Sequence, residues 1–242
     1  MKKLLVALLF AAGVSALVNA AEIVPDYYFT AESLLDELED GAEVKEWYDT
    51  RKQVKFILPE KTRRPVLPPI LKERILNGNP ALYFDEKIRT LYIPGFANEV
   101  MAGKSFTFIY GELSMTGFFG FSGNNPDGSV TAPKLEMQCG RFTYGKTDLK
   151  NLSSVNLYRV NAYVYNLETQ KLSVYHNGKL ISEAVSAPVA QFGGGGNLAV
   201  PFMPWPHAPR KGMIAEIMVF KKALAPAEIK QLSDEIRARN RN

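Results

Sequence analysis

Between Lys171 and Ile236 the spacing of apolar residues changes twice, and the changes predict a hairpin, a buried strand and a closing helix. Leu172, Val174 and Tyr175 lead into His176-Asn177-Gly178-Lys179, and Leu180 and Ile181 lead out. Asn-Gly between two such runs predicts a two-residue turn of type I′, because both of its central residues need positive φ. A loop rich in Gly and Pro follows. Gly212 to Phe220 is then apolar on both faces except at Glu216, the pattern of a central strand covered on both sides. Strict alternation puts Glu216 on one face with Ile214, Met218 and Phe220, so its carboxylate is expected to be held by a cation or by backbone donors in a structural role. Beyond Leu224-Ala225, Pro226 suits a first helical position and Glu228 suits the positive N-terminal end of a helix. Ile229, Leu232 and Ile236 form its apolar stripe.

Upstream, residues 21–49 admit two readings on pattern: a short acidic helix from Ala31 to Glu39, or strands at Asp26–Thr30 and Val44–Tyr48. Pro59, Pro65, Pro68, Pro69 and Pro80 exclude a central strand or a long helix across 59–80, since proline removes a donor and restricts its predecessor. That stretch reads as an extended surface crossing with a turn of helix at Leu71–Leu76. From Thr90 to Phe121 the alternation is β-like, through Leu91, Ile93, Phe106, Phe108, Tyr110, Phe119 and Phe121. Gly123-Asn124-Asn125-Pro126-Asp127-Gly128 is a turn cluster. Leu135–Gln138 and Phe142–Tyr144 continue as strands. In Val155–Tyr165, Val160, Ala162 and Val164 share one face, and Asn161, Tyr163 and Tyr165 the other. Gly193 to Gly196 form a mobile or tight turn before a Leu198–Val200 strand. Many short strands and one late helix predict an all-β sandwich.

Composition adds a compartment and removes a partner. With 46% hydrophobic residues the chain can build one substantial core, so residues 21–242 read as a single domain. Met1-Lys2-Lys3, the apolar run Leu4 to Val18 and the small residues of Val18-Asn19-Ala20 predict a signal peptide over residues 1–20. The run is too short to span a membrane. No cysteine follows the cleavage position, so lipid attachment there is not expected. The mature protein is expected to be exported, periplasmic or extracellular, with no membrane span. Cleavage removes Lys2 and Lys3 and lowers the formal net charge from +4 to +2. Charges of both signs are interspersed, which argues against a nucleic-acid partner. Cys139 is the only cysteine, so no intramolecular disulfide forms, and a buried free thiol is expected.

Several motifs carry a family resemblance. The strand-Asn-Gly-strand hairpin followed by Gly212-Met213-Ile214-Ala215-Glu216 and by Leu224-Ala225-Pro226-Ala227-Glu228 resembles the end of a laminin-G-like, concanavalin A-like domain. Asp40-Gly41 with Val44, Trp47 and Asp49 is similar to its opening, although Thr50-Arg51-Lys52 stands where the family has Ser-Gly. Arg64-Pro65 and Asn77-Gly78-Asn79-Pro80-Ala81-Leu82-Tyr83-Phe84-Asp85 match a third motif. The resemblance covers about residues 25–237. It implies a two-sheet antiparallel jelly-roll sandwich with a short C-terminal helix, Phe84 pointing into the core and Asp85 closing its strand in a turn.

The same superfamily contains β-glucanases, whose Glu-x-Asp-x-x-Glu signature sets a nucleophile and an acid about 5 Å apart. That spacing occurs nowhere here, and no catalytic residue is assigned. His176, beside a turn, reads as solvated, and neither it nor His207 has a metal-site or triad spacing. Gly193–Gly196 lacks the Lys-Ser/Thr of a phosphate loop. Asn124, Asn125 and Asp127 offer oxygen ligands for calcium, although backbone turn chemistry is the favoured account of them; no other cofactor is expected. Phe202, Trp205 and His207 form an aromatic loop suited to stacking on sugars or anchoring an interface. The function expected is an exported, non-catalytic recognition module for a glycan or an extracellular or envelope protein. The rivals are a polysaccharide-cleaving hydrolase or lyase and a structural envelope protein.

Overall fold

The computed structural model describes residues 22–60, 62, 65–85, 87–116, 119–123, 131–138, 141–150, 156–200 and 211–240. The signal-peptide segment and Cys139 lie outside them. The first strands are β1 (Tyr27–Thr30), β2 (Glu46–Tyr48), β3 (Lys55–Ile57), β4 (Ile70–Leu76), β5 (Asn79–Phe84) and β6 (Leu91–Ile93). A short helix α1 (Phe96–Val100) precedes β7 (Phe106–Ser114), β8 (Gly120–Ser122), β9 (Lys134–Gln138), β10 (Arg141–Gly145) and β11 (Thr147–Lys150). Then come β12 (Tyr158–Asn166), β13 (Lys171–His176), β14 (Lys179–Val185), β15 (Leu198–Val200), β16 (Gly212–Phe220) and helix α2 (Pro226–Asn240).

The strands form two antiparallel eight-stranded sheets. Sheet A runs β14-β13-β12-β7-β16-β5-β4, with β1 also paired to β16, and sheet B runs β11-β10-β9-β8-β15-β6-β3-β2. The β13–β14 hairpin forms at Asn177 and Gly178 with φ of 50° and 77°, as type I′ geometry requires. All nine residues of β16 are buried, which its unbroken apolar run demands of a strand covered on both sides. The inner faces interdigitate through Phe29, Trp47, Phe56, Phe108, Tyr110 and Phe121. Phe121 meets Phe108 at 4.9 Å and Tyr110 at 4.8 Å, edge to face, an arrangement worth roughly 0.5–1.5 kcal/mol per pair beyond burial. The Trp47 indole donates to the Thr30 carbonyl at 3.0 Å, so a large polar aromatic is buried without an orphaned donor.

The outer face of sheet A is covered by α2. Ile229, Leu232 and Ile236 bury against Ile109, Val160, Ala162, Met218 and Phe220, the stripe that the helical spacing predicts. Glu228 accepts from the Ala225 amide at 2.6 Å and so satisfies a donor just ahead of the helix.

Two expectations change. Leu71–Leu76 is strand, not a turn of helix: β4 is the edge of sheet A, where neighbouring prolines cost no ladder bond. The helix is not the only one, because Gly95, with φ of 69°, turns the chain into α1. Of the two readings of residues 21–49 the strands are the ones present, as β1 and β2, with a 3-10 turn at Ala31–Leu34 in place of an acidic helix. Phe84 is fully buried, and the Asp85 carboxylate accepts from the Lys87 amide at 2.8 Å, as expected of a strand that closes in a turn. Asp49 has the same kind of task, holding the amides of Arg51, Gln53 and Val54 at 3.1, 2.6 and 2.7 Å.

Candidate functional site

A two-sheet sandwich has four sheet faces. Two make the core and α2 lies on the third; on the fourth, the outer face of sheet B, the centre is buried at Thr143, Glu136, Ser122 and Ala199 while both ends reach solvent. Its apolar inner set, Leu135, Met137, Phe142, Tyr144 and Leu149, alternates with the outward set Lys134, Glu136, Gln138, Arg141, Thr143 and Asp148, as strand geometry requires. The pairing register then aligns one row across all eight strands: Asp148, Thr143, Glu136, Ser122, Ala199, Tyr92, Ile57 and Glu46.

At the β9–β11 end, two carboxylates share one hydroxyl. Thr143 Oγ1 contacts Asp148 Oδ1 at 2.6 Å and Glu136 Oε2 at 3.3 Å. Arg141 grips Asp148 with a fork, Nη2 to Oδ2 at 2.7 Å and Nε to Oδ1 at 3.3 Å, and its Nε lies 3.9 Å from Glu136. Partial burial raises the Asp148 pKa, but the Arg141 fork and the Thr143 hydroxyl outweigh it and hold the carboxyl below its ordinary value. Glu136 is 3% exposed, and beside it the Ser122 hydroxyl is fully buried with no hydrogen-bond partner. At the other end of the row, Lys55 donates to Glu46 at 2.7 Å and to the Tyr48 hydroxyl at 3.0 Å. Those bonds lower the Glu46 pKa and raise that of Lys55. Tyr48, Ile57 and Tyr92, all partly exposed, give this half an apolar and aromatic character.

Glu216 lies elsewhere, on the outer face of sheet A under the end of α2. It accepts from Tyr28 Oη at 2.9 Å, Arg239 Nη2 at 2.8 Å and Asn240 Nδ2 at 2.7 Å. The cation expected for it is Arg239. The face assignment is corrected: a bulge between Ile214 and Glu216 moves Ile214 to the inner face and leaves Glu216 with Met218 and Phe220. A cleft of about 170 Å³ opens there, lined by Tyr28, Glu32, Asn79, Glu216, Arg239 and Asn240. Three donors saturate the carboxylate, which makes this a fastening for the helix.

A second buried acid, Glu112, faces inward between the sheets. Its Oε1 takes Arg159 Nη2 at 2.7 Å, Arg159 Nε at 2.8 Å and Asn161 Nδ2 at 2.9 Å. Burial raises its pKa against the lowering pull of Arg159. His176 is not solvated as its place beside a turn suggests. Burial, with the Arg159 and Arg237 charges, pushes its pKa down to about 4, and its Nε2 has no hydrogen-bond partner.

The sequence candidates Phe202, Trp205, His207, Asn124, Asn125 and Asp127 lie outside the described residues. Gly123 and Val200, the described residues that precede the two stretches, sit at opposite ends of the neighbouring antiparallel strands β8 and β15. The Gly193–Gly196 turn is tight: Asn98 bonds both the amide and the carbonyl of Phe192, and Asn197 donates to Gly194 at 2.8 Å. Among the described residues, no group of three or more His, Cys, Asp or Glu is placed to hold a metal, and no helix is long and apolar enough to cross a membrane. Sequence reasoning missed the sheet B row. The alternation in 134–138 and 141–144 carried its signal, but the Glu136–Asp148 pairing needs the register of three strands.

No curated protein matches the chain. Its fold is similar to that of the botulinum neurotoxin serotype G binding domain, with a TM-score of 0.59 at 10% identity, covering 89% of this chain and 52% of that one. It is also similar to the binding domain of Paraclostridial Mosquitocidal Protein 1, with a TM-score of 0.58 at 10% identity, covering 87% and 52%. A third likeness is to the binding domain of botulinum neurotoxin DC in complex with SialylT, with a TM-score of 0.54 at 12% identity, covering 88% and 51%. The chain thus spans about half the length of these structures, and at such identities the likeness is one of fold. The Laminin_G_3 model, of the concanavalin A-like lectin/glucanases superfamily, matches residues 104–230, more than half of the chain. That stretch supplies strands to both sheets and begins the closing helix, and by it the chain belongs to the concanavalin A-like lectin/glucanases superfamily.

Proposed function

We propose that residues 21–242 are an exported, non-catalytic recognition module that binds a carbohydrate on the outer face of sheet B. The observation that carries this reading is the pair of solvent-reaching ends of the register-aligned row on that face, polar at Arg141, Asp148 and Lys150 and aromatic at Tyr92 and Tyr48. Sugars present hydroxyls at their edges and C–H faces that stack on aromatic rings, so one strip offering both suits them. The neurotoxin DC binding domain, solved with SialylT, lends support at the level of fold. The reading calls for no cofactor.

One observation favours a second reading. Glu136 and Asp148 approach a common hydroxyl, a closeness of the order used by retaining glycosidases. The surroundings oppose it. Asp148 is held ionised by Arg141 and cannot serve as the acid, and Glu136 is too buried to reach a scissile bond. A glycan array on the mature protein tests the proposal. Binding that falls in Tyr92→Ala at an unchanged melting temperature is the expected result, while sustained release of reducing ends from a β-glucan panel would replace it with the hydrolase.

A further inference from the structure

The β9–β11 end of the row carries a charge arrangement that sheet stability does not explain. Arg141 and Lys150 are direct cross-strand partners, both exposed and both on the outer face. Like charges directly opposite each other destabilise a strand pair. Arg141 is committed to Asp148 by its fork, which fixes the guanidinium plane against the sheet. Among the described residues the Lys150 ammonium has no acidic partner, and its backbone carbonyl accepts from Ser182 Oγ at 2.8 Å. On the far side of the Glu136–Thr143–Asp148 row stands Lys134, partly exposed, near enough to help lower the Asp148 pKa. Strand rise places it about 14 Å from the Gln138 position that Arg141 faces. Cations thus flank the row on both sides: Arg141 pairs with Asp148, Thr143 hydrogen-bonds both acids, and the three cations Arg141, Lys150 and Lys134 outnumber the two carboxylates.

We infer that the β9–β11 end selects acidic glycans, with Lys150 and Arg141 receiving one carboxylate or sulfate and Lys134 a second one further along the chain. This rests on the carbohydrate-recognition reading above and adds the charge of the ligand to it. An anion between Lys150 and Arg141 would turn the cross-strand repulsion into charge-assisted hydrogen bonds.

The test uses the full chain and two matched pairs of polymers: polygalacturonate with its methyl ester, and a sulfated galactan with its desulfated form. Expected is binding to the acidic member of at least one pair and not to its neutral counterpart, weakened by salt. The pair that binds separates carboxylate from sulfate. Lys150→Ala and Lys134→Ala should each lose about tenfold in affinity with no fall in melting temperature, since both side chains reach solvent and loss of Lys150 relieves its repulsion with Arg141, and Lys150→Arg should retain binding. Equal binding of acidic and neutral members, or full affinity in both alanine variants, overturns the inference and leaves carbohydrate recognition standing. Failure to bind any glycan on the array or in these pairs overturns both.

Discussion

Glu216 and Glu112 are both buried carboxylates, yet their neighbours make them fail differently when changed. Arg239, the cation on Glu216, is 46% exposed at its side chain, whereas Arg159, the cation on Glu112, is 1% exposed. Removing Glu216 lets Arg239 turn to water but orphans Tyr28 Oη and Asn240 Nδ2 beneath the helix. Glu216→Ala should therefore cost about 3 kcal/mol, the low end for breaking a buried pair. Thermal melts check the loss, and binding titrations on the folded fraction should match wild type. A variant that melts like wild type and no longer binds would place Glu216 in the recognition site.

The contact between β7 and α2 depends on a residue with no side chain. A Cβ on Gly111 would sit 1.9 Å from Tyr158 Oη and 3.0 Å from Ile236 Cγ2. Gly111→Ala should push the helix outward and cost roughly 1–3 kcal/mol, the usual range for overpacking. Tyr158→Phe removes the clashing hydroxyl but leaves the ring Cζ 2.9 Å from the new Cβ, so the double variant should recover part of the lost midpoint. Failure to recover would mean that the ring or Ile236 sets the limit. The elements themselves were legible wherever one cause dominated. Asn177-Gly178 announced its turn, and the run from Gly212 to Phe220 announced its burial. Asn77-Gly78 carries the same turn signal, with φ of 51° and 81°, but the surrounding prolines hid a strand whose edge position tolerates them. The bulge at Ala215 left no mark in the pattern, and the sheet B row was out of reach because it is written across eight strands at once.

For the molecule as a whole, acid is the condition that exposes its weaker joints. His176 is kept neutral in the fold to about pH 4, whereas the unfolded chain protonates it near its ordinary 6.5. A depressed histidine pKa means that the unfolded state binds the extra proton first, so stability falls as pH drops from about 6.5 towards 4. Asp148, Glu183 and Asp234, held below their ordinary values by Arg141, Lys171 and Lys230, add their loss only at lower pH. Melting temperature should decline between pH 7 and 5 in the wild type and stay flat over that interval in His176→Gln. Equal slopes would assign the loss to other groups.

The fastening of Glu216 by Tyr28 and Arg239 joins segments 188 residues apart in one direction and 23 in the other. Among the described residues, strand β1 takes its ladder partner from Glu216–Val219. A ribosome that has released Tyr27–Thr30 must therefore synthesise most of the chain before that strand has anywhere to dock. Closing so wide a loop is slow by its nature. Until β16 has been made, the edge of β1 has no strand to pair with, so the sheet A core closes late.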